Sequence, residues 1–124
     1  MKTLYTYAGV VKRVIDGDTV LILIDLGFSI FTEIRFRLYG IDTPEITSKD
    51  TALRDIAIKA KRYVVDTIEG KPVMIQSLGK DKYGRYLSTI WVDSNTVSVN
   101  QQLINLGLAK AYFGDGKTSS VWVG

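Results

Sequence analysis

Two short acidic loops contain the residues best suited to chemistry. They are Asp16-Gly17-Asp18-Thr19 and Asp42-Thr43-Pro44-Glu45, and each packs two carboxylates within four residues. Mutual repulsion makes such crowding costly unless a cation or an arginine lies nearby. Taken alone, each loop has a simpler interpretation. Asp-Gly-Asp is a common turn, and Asp42 or Thr43 can cap a helix that has Pro44 at its first position.

The chain lacks two residue types that enzymes often use for proton transfer and metal binding. It has no Cys and no His. Disulfides, thiolate metal sites and cysteine nucleophiles are therefore excluded, and so is histidine as a general base. Any proton transfer rests on Asp, Glu, Lys, Tyr or a bound water, and any metal is expected to be a hard cation held by oxygen atoms. The formal charge of +3 at pH 7 is compatible with an anionic partner without requiring one.

An alternating strand leads into the second acidic loop. In Phe31–Tyr39, Ile34, Phe36 and Leu38 fall on one face of the strand. The residues on the opposite face are Glu33, Arg35, Arg37 and Tyr39. This spacing lets Arg37 leave the core and point into a surface cleft. For Arg35 we expect an ordinary solvated strand face. Tyr39 keeps two interpretations, a base-stacking residue or a half-buried wall of the fold.

Five predicted strands and two predicted helices must position these loops. The strands are rich in β-branched residues, and the first helix has apolar residues at helical spacing between a capping Asp50 or Thr51 and Gly70. The run Thr19–Ile24 is continuously apolar, which predicts a strand buried on both faces. The predicted strands are Ala8–Ile15, Thr19–Ile24, Phe31–Tyr39, Val73–Leu78 and Tyr86–Val92, and the predicted helices are Ala52–Ile68 and about Val97–Leu106.

The order of these elements predicts a mainly β fold with helices, of the α+β class. Five strands with a helix inserted between the third and the fourth favour a small closed or partly open barrel. A length of 124 residues supports one domain, 1–124, with its core at about 8–113 and a loosely ordered tail at 114–124. No apolar run is long enough for a signal peptide or a membrane span. The chain as given therefore predicts a cytoplasmic protein, with secretion of a processed form as the alternative.

Taken together, these loops and strands resemble the staphylococcal nuclease-like (thermonuclease) family. The matching segments occur in the family's order and at close to its spacing, and the resemblance spans roughly Val10 to Tyr112. It implies a five-stranded OB-fold barrel that hydrolyses phosphodiester bonds of DNA and RNA with one Ca²⁺ ion and leaves 3′-phosphate ends. The segments are Ile15-Asp16-Gly17-Asp18-Thr19-Val20, Phe36-Arg37-Leu38, Ile41-Asp42-Thr43-Pro44-Glu45, Asp81-Lys82-Tyr83-Gly84-Arg85 and Gly107-Leu108-Ala109-Lys110.

The resemblance also implies a set of metal ligands. Asp18 and Asp42 would supply carboxylate oxygens to Ca²⁺, and the backbone carbonyl of Thr43 would add a third ligand. A protein without Cys or His can still form such a site, because Ca²⁺ takes only oxygen ligands.

Catalytic and substrate-binding residues follow from the same resemblance. Glu45 would orient or deprotonate the attacking water, and Arg37 and Arg85 would grip the phosphate oxygens. Arginine suits this role because it donates two parallel hydrogen bonds to phosphate. The residues that would contact the nucleotide are Lys82, Tyr83 and Tyr112.

The sequence departs from the family pattern in two places. Gly40 lies where the family usually has an aliphatic residue, and the family's third, C-terminal helix has no counterpart after Tyr112. We expect the first departure to alter affinity and the second to lower thermal stability, since neither removes a proposed ligand.

Two other functions stay open beside a nuclease. One is a non-catalytic OB-fold module that binds nucleic acid or protein, and the other is a basic globular domain whose acidic loops are only turns. The presence of both metal carboxylates, both arginines and Glu45 favours the nuclease, because a domain that has lost its catalytic activity has no chemical reason to keep all of them. We expect a monomer that takes DNA and RNA as substrates, with no membrane and no obligate protein partner.

Overall fold

The structure of the protein, a computed structural model, describes residues 4–92 and 96–112. The predicted loose tail at 114–124 lies outside these residues. In chain order, the elements are β1 (Thr6–Asp16), β2 (Thr19–Asp25), β3 (Phe31–Leu38), β4 (Ile41–Asp42), α1 (Thr51–Ile68), β5 (Pro72–Lys80), β6 (Tyr86–Val92), α2 (Val99–Asn105) and β7 (Lys110–Ala111).

Five strands form a closed barrel in the order β1-β2-β3-β6-β5. All neighbours are antiparallel except β3 and β6, which run parallel, and α1 is inserted between the third and fourth barrel strands. The prediction of a mainly β fold with a five-stranded OB-fold barrel and two helices is confirmed.

Strand β2 shows how the sequence fills the barrel core. Val20, Ile22 and Ile24 are buried, whereas Leu21 and Leu23 between them are only half-buried. The prediction that this strand is buried on both faces is wrong, because each strand of a closed barrel turns only one face toward the core.

Helix α1 begins and ends within one residue of its prediction. The Asp50 side chain caps it by accepting hydrogen bonds from the two backbone N–H groups that follow Thr51. Ala60, Val64 and Ile68 line the helix face that packs into the barrel core. The helix therefore covers the barrel beside the first acidic loop.

A short second sheet was not predicted. Strands β4 and β7 pair antiparallel, with Ile41 opposite Ala111 and Asp42 opposite Lys110. Two-residue strands carry no periodicity that a sequence pattern can reveal, so this pair emerges only from the fold. It places the residues after α2 against the second acidic loop. In the described part of the chain, neither helix combines the length and the apolar character that crossing a membrane requires.

Candidate active site

Both acidic loops open into one cleft of about 830 Å³. The β1–β2 turn, the end of β3, the loop after β4 and the segment through β7 all contribute to its lining. Of the nine residues predicted for the site, seven line this cleft and two, Lys82 and Tyr83, do not. The seven are Asp18, Arg37, Asp42, Thr43, Glu45, Arg85 and Tyr112.

Arg37 links the two acidic loops. Its Nη2 atom lies 3.2 Å from Oδ1 of Asp42 and 3.7 Å from Oδ2 of Asp18. The Arg37 side chain is only 11% exposed, so water screens these charges less than it would on an open surface. A guanidinium has five N–H donors, and these contacts leave several of them able to bind a further anion.

The main chain and two threonines hold Asp18 in place. Its backbone carbonyl accepts a hydrogen bond from the N–H of Leu38 at 2.8 Å. The Thr19 hydroxyl donates to Oδ1 at 3.2 Å, and the Thr43 N–H donates to Oδ2 at 3.4 Å. Asp18 is therefore fixed from its own loop, from β3 and from the second acidic loop.

Gly17 allows the first acidic loop to approach α1. A Cβ atom at this position would lie 2.9 Å from the Ala60 Cβ atom and 3.2 Å from the Thr43 Cγ2 atom. The first of these contacts is shorter than real Cβ atoms make, and the second is tight, so a side chain here would force the loop away from the helix. The glycine is needed because helix, first loop and second loop meet here.

Arg85 is anchored separately, by Asp81 in the β5–β6 loop. Asp81 Oδ1 accepts hydrogen bonds from the N–H groups of Tyr83 at 2.8 Å and Arg85 at 2.9 Å, and Oδ2 accepts one from Arg85 Nε at 2.6 Å. Partial burial disfavours the Asp81 carboxylate, but these hydrogen bonds and the nearby guanidinium outweigh it and hold the pKa of Asp81 below its usual value of 3.8. The sequence contained this residue in a recognised segment without revealing its positioning role.

The three predicted nucleotide-contacting residues separate into two groups. The Tyr112 ring lines the cleft and lies 5.7 Å from Arg37 Cζ. Tyr83 is 71% exposed and lies outside the cleft, with Lys82 Nζ at 5.4 Å and Arg85 Cζ at 5.3 Å from its ring centroid. Lys82 and Tyr83 therefore lie on the loop that carries Arg85 and not in the cleft itself.

Glu45 has an exposed side chain at the cleft. Its backbone carbonyl accepts a hydrogen bond from the Ser48 N–H at 3.0 Å, which closes a turn after Pro44. Within residues 4–92 and 96–112 no cation pairs with its carboxylate. The group is thus accessible to a water molecule, as a general base must be.

The charge of the lining bears on whether the cleft suits a cation. Four carboxylates, including Asp16, face three cationic side chains, the third being Lys110. The lining is therefore net negative before any phosphate enters. Among the described residues, no group of three or more Asp, Glu, His or Cys side chains is arranged to hold a metal alone. Asp18, Asp42 and Thr43 offer only oxygen donors, which fits a hard cation that completes its shell with water or substrate oxygens.

One residue that shapes the site was missed at the sequence level. Asn100 on α2 is 5% exposed, and its amide donates to the carbonyls of Tyr39 at 2.9 Å and Ser88 at 3.0 Å while accepting from the Ile90 N–H at 3.2 Å. It ties α2 to the end of β3, just before the Asp42 loop. The only sequence signal is an amide on the buried side of a short helix.

A closed five-stranded barrel with this cleft defines an OB-fold protein. The family model described as Staphylococcal nuclease homologue matches residues 35–120, well over half of the chain. The chain therefore belongs to the staphylococcal nuclease homologue family, as the sequence motifs predicted.

Individual relatives show the same similarity. The chain is 35% identical over 105 residues to the thermonuclease of Staphylococcus intermedius, and this match covers 83% of this chain and 58% of that protein. It is 30% identical over 128 residues to the uncharacterized protein MJ1439 of Methanocaldococcus jannaschii, covering 86% and 59%. It is also 32% identical over 115 residues to the endonuclease YhcR of Bacillus subtilis, covering 86% of this chain and 9% of that protein. The chain thus spans less than two thirds of the length of each of these relatives.

Proposed function

We propose that this protein is a Ca²⁺-dependent nuclease that hydrolyses phosphodiester bonds of DNA and RNA and leaves 3′-phosphate ends. The observation that carries the proposal is the meeting of two aspartates, two arginines and one glutamate around a single cleft, where no cation of the described residues pairs with the glutamate. Membership of the nuclease homologue family and the similarity to proteins named thermonuclease and endonuclease support it.

Arg37 and Arg85 would bind the scissile phosphate. Both guanidinium groups are held by aspartates before substrate arrives, so little reorganisation is needed when charge builds up at phosphorus. Such preorganised donors are worth about 10²–10³ in rate each.

Glu45 would act as the general base. It takes a proton from a water molecule as the water oxygen bonds to phosphorus. The bond from phosphorus to the 5′ oxygen breaks, and this oxygen takes a proton from solvent to become a 5′-hydroxyl. General-base assistance of this kind contributes roughly 10²–10⁴ in rate.

Asp18, Asp42 and the Thr43 carbonyl would hold the Ca²⁺ ion. When bound, the ion offsets the negative charge of the phosphate and of the carboxylate-rich lining. A phosphodiester entering a cleft that is already net negative is otherwise opposed by its carboxylates.

Digestion of end-labelled single-stranded DNA and RNA, with Ca²⁺ or with chelator, tests the proposal. We expect cleavage only with Ca²⁺. Glu45→Gln and Arg37→Lys should each lower the rate by at least about 10² in protein that stays folded. Asp66→Asn and Arg62→Lys make matching changes at exposed positions of α1 and should cleave at the wild-type rate.

Each contrary result has a distinct meaning. Full activity in chelator would remove the ion from the mechanism. Wild-type rates in both site variants would remove the assigned roles. Ca²⁺-dependent binding without any cleavage would establish the alternative, a non-catalytic nucleic-acid-binding module.

A further inference from the structure

A second, smaller cleft of about 360 Å³ opens beside the candidate active site. The two clefts share Thr19, Arg37 and Arg85 in their linings, so they adjoin each other. A substrate whose phosphate contacts the two shared arginines can therefore extend directly into the smaller cleft.

The pairing of the strands explains why this side cleft exists. Strand β3 pairs with β2 along nearly its whole length, from Phe31 to Arg37, but with β6 only from Phe36 to Leu38. Among residues 4–92 and 96–112, no strand pairs with 31–35 on the β6 side. The side cleft lies at this open edge, between the first half of β3 and residues 84–86.

Arg35 is the residue of the side cleft that no role yet explains. It lies two residues before Arg37 on the same outward face, about 6.6 Å along the strand. Its side chain is exposed, as expected, yet it lines the cleft. Within the described part of the chain no carboxylate pairs with it, whereas Arg37 and Arg85 each have an aspartate partner.

The remaining lining gives the side cleft a mixed character. Ile34 and Tyr86 form an apolar wall, and the Tyr86 ring is supported by an edge contact with Phe36 at 6.3 Å between centroids. Glu33 adds one carboxylate at the end farther from Arg37 along β3. A guanidinium beside an apolar wall suits a phosphate attached to a sugar and base, and Glu33 opposes a second phosphate beyond it.

We propose that the side cleft binds the nucleotide next to the scissile phosphate, with Arg35 on the phosphate of that nucleotide. The sugar or base then packs against Ile34 and Tyr86. This inference rests on the proposed nuclease function and extends it, because it makes the preferred substrate a chain with at least two phosphates. Arg35 is accordingly a substrate-binding residue, and not only part of a solvated strand.

Binding of short oligonucleotides of increasing length tests this directly. Unlabelled single-stranded oligonucleotides of two to six residues compete with a labelled hexamer in fluorescence anisotropy, in chelator. For the wild type we expect affinity to rise about tenfold between the dinucleotide, which has one phosphate, and the trinucleotide, which has two. Arg35→Ala should lose this gain while binding the dinucleotide like the wild type. For the longer oligonucleotides, the slope of log affinity against log salt concentration should be smaller in magnitude by about 0.7 than in the wild type.

Two further variants control the measurement. Arg62→Ala removes the same charge from an exposed position of α1 and should keep the full gain, and Arg35→Lys should keep part of it. If Arg35→Ala and Arg62→Ala bind every length alike, or if the wild type shows no gain with length, the side-cleft assignment is wrong. If Arg35-dependent binding is found but Ca²⁺ induces no cleavage, the side cleft stands and the nuclease function fails.

Discussion

Arg37 and Arg85 reach the same cleft by different means. The Arg37 side chain is only 11% exposed and lies between the carboxylates of Asp18 and Asp42. The Arg85 side chain is 53% exposed and is held by an ion pair with Asp81. The position of Arg37 is thus set by carboxylates from two separate loops, and that of Arg85 by contacts within its own loop, chiefly with Asp81. Loss of Asp81 should therefore loosen one phosphate-binding group without disturbing the other.

The pH dependence of stability tests the role of Asp81. Its pKa is lowered in the folded state, so its contribution to stability is fully present above 3.8 and is lost as the pH falls through the lowered value. We expect Asp81→Asn to lower the free energy of unfolding by about 1 kcal/mol at pH 6, and this difference from the wild type should close toward pH 3. Urea unfolding of both proteins at several pH values measures it.

Asp66→Asn, on the exposed side of α1, provides the baseline for that comparison. The difference in unfolding free energy between Asp66→Asn and the wild type should not close toward pH 3 as it does for Asp81→Asn. A constant difference for Asp81→Asn across the acid range would show that its carboxylate is not linked to folding.

At the scale of elements, α2 acts through one buried amide. Asn100 binds three backbone groups, one on Tyr39 and two on β6, and so fixes the point at which the chain leaves β3. Tyr39 also donates its N–H to the Ser88 carbonyl at 2.8 Å. The Asp42 loop begins from this junction, with Gly40 at a φ of 80°, a conformation that favours glycine.

Substitutions at Asn100 and Ser88 compare a buried side chain that makes hydrogen bonds with one whose hydroxyl makes none among the described residues. Asn100→Ala removes three hydrogen bonds, two of them buried and one partly buried, and should destabilise the fold by about 2–3 kcal/mol. The buried Ser88 hydroxyl has no hydrogen-bond partner among the described residues, so Ser88→Ala should change stability by less than about 0.5 kcal/mol or increase it. Denaturant unfolding of both variants measures the difference. Equal losses would contradict the assignment.

At the scale of the whole molecule, barrel closure brings distant segments together. The first acidic loop, the second acidic loop and the β5–β6 loop are separated along the chain by helix and strand, yet all reach one cleft. Because no single segment holds a complete ligand set, ion binding should depend on the folded barrel.

Thermal unfolding with Ca²⁺ tests this linkage. Ca²⁺ at ten times its dissociation constant should stabilise the folded protein by about 1.4 kcal/mol and raise Tm by about 4–8 °C. Asp42→Asn should abolish most of the shift, and Asp66→Asn should retain it. An equal shift in wild type and Asp42→Asn would place ion binding outside the cleft. Potassium chloride of the same ionic strength serves as the control for general salt effects.

Periodicity and capping residues allowed much of the fold to be predicted. The alternation in β3 and the helical spacing of α1 are local patterns. The residues that a strand or a helix buries on one face recur with the period of that element, so the pattern can be seen within a short stretch of sequence. Burial on β2 was misjudged because a continuous apolar run does not say whether its outer face is covered. The β4–β7 pair and the contacts of Asn100 join residues far apart in the chain, and no local pattern encodes them.

The residue types of the chain limit the chemistry that this protein can use. Without Cys or His, it must build such a site from oxygen donors, arginines and lysines, and its motifs identified the family. Which of these residues meet depends on the folding of the barrel. It brought Tyr112 into the cleft and left Tyr83 outside, paired Arg37 with both aspartates, and turned Arg35 from a surface residue into the lining of a second cleft. The reason is physical: side-chain chemistry is carried by each residue, but distance between side chains is set by strand register and barrel closure.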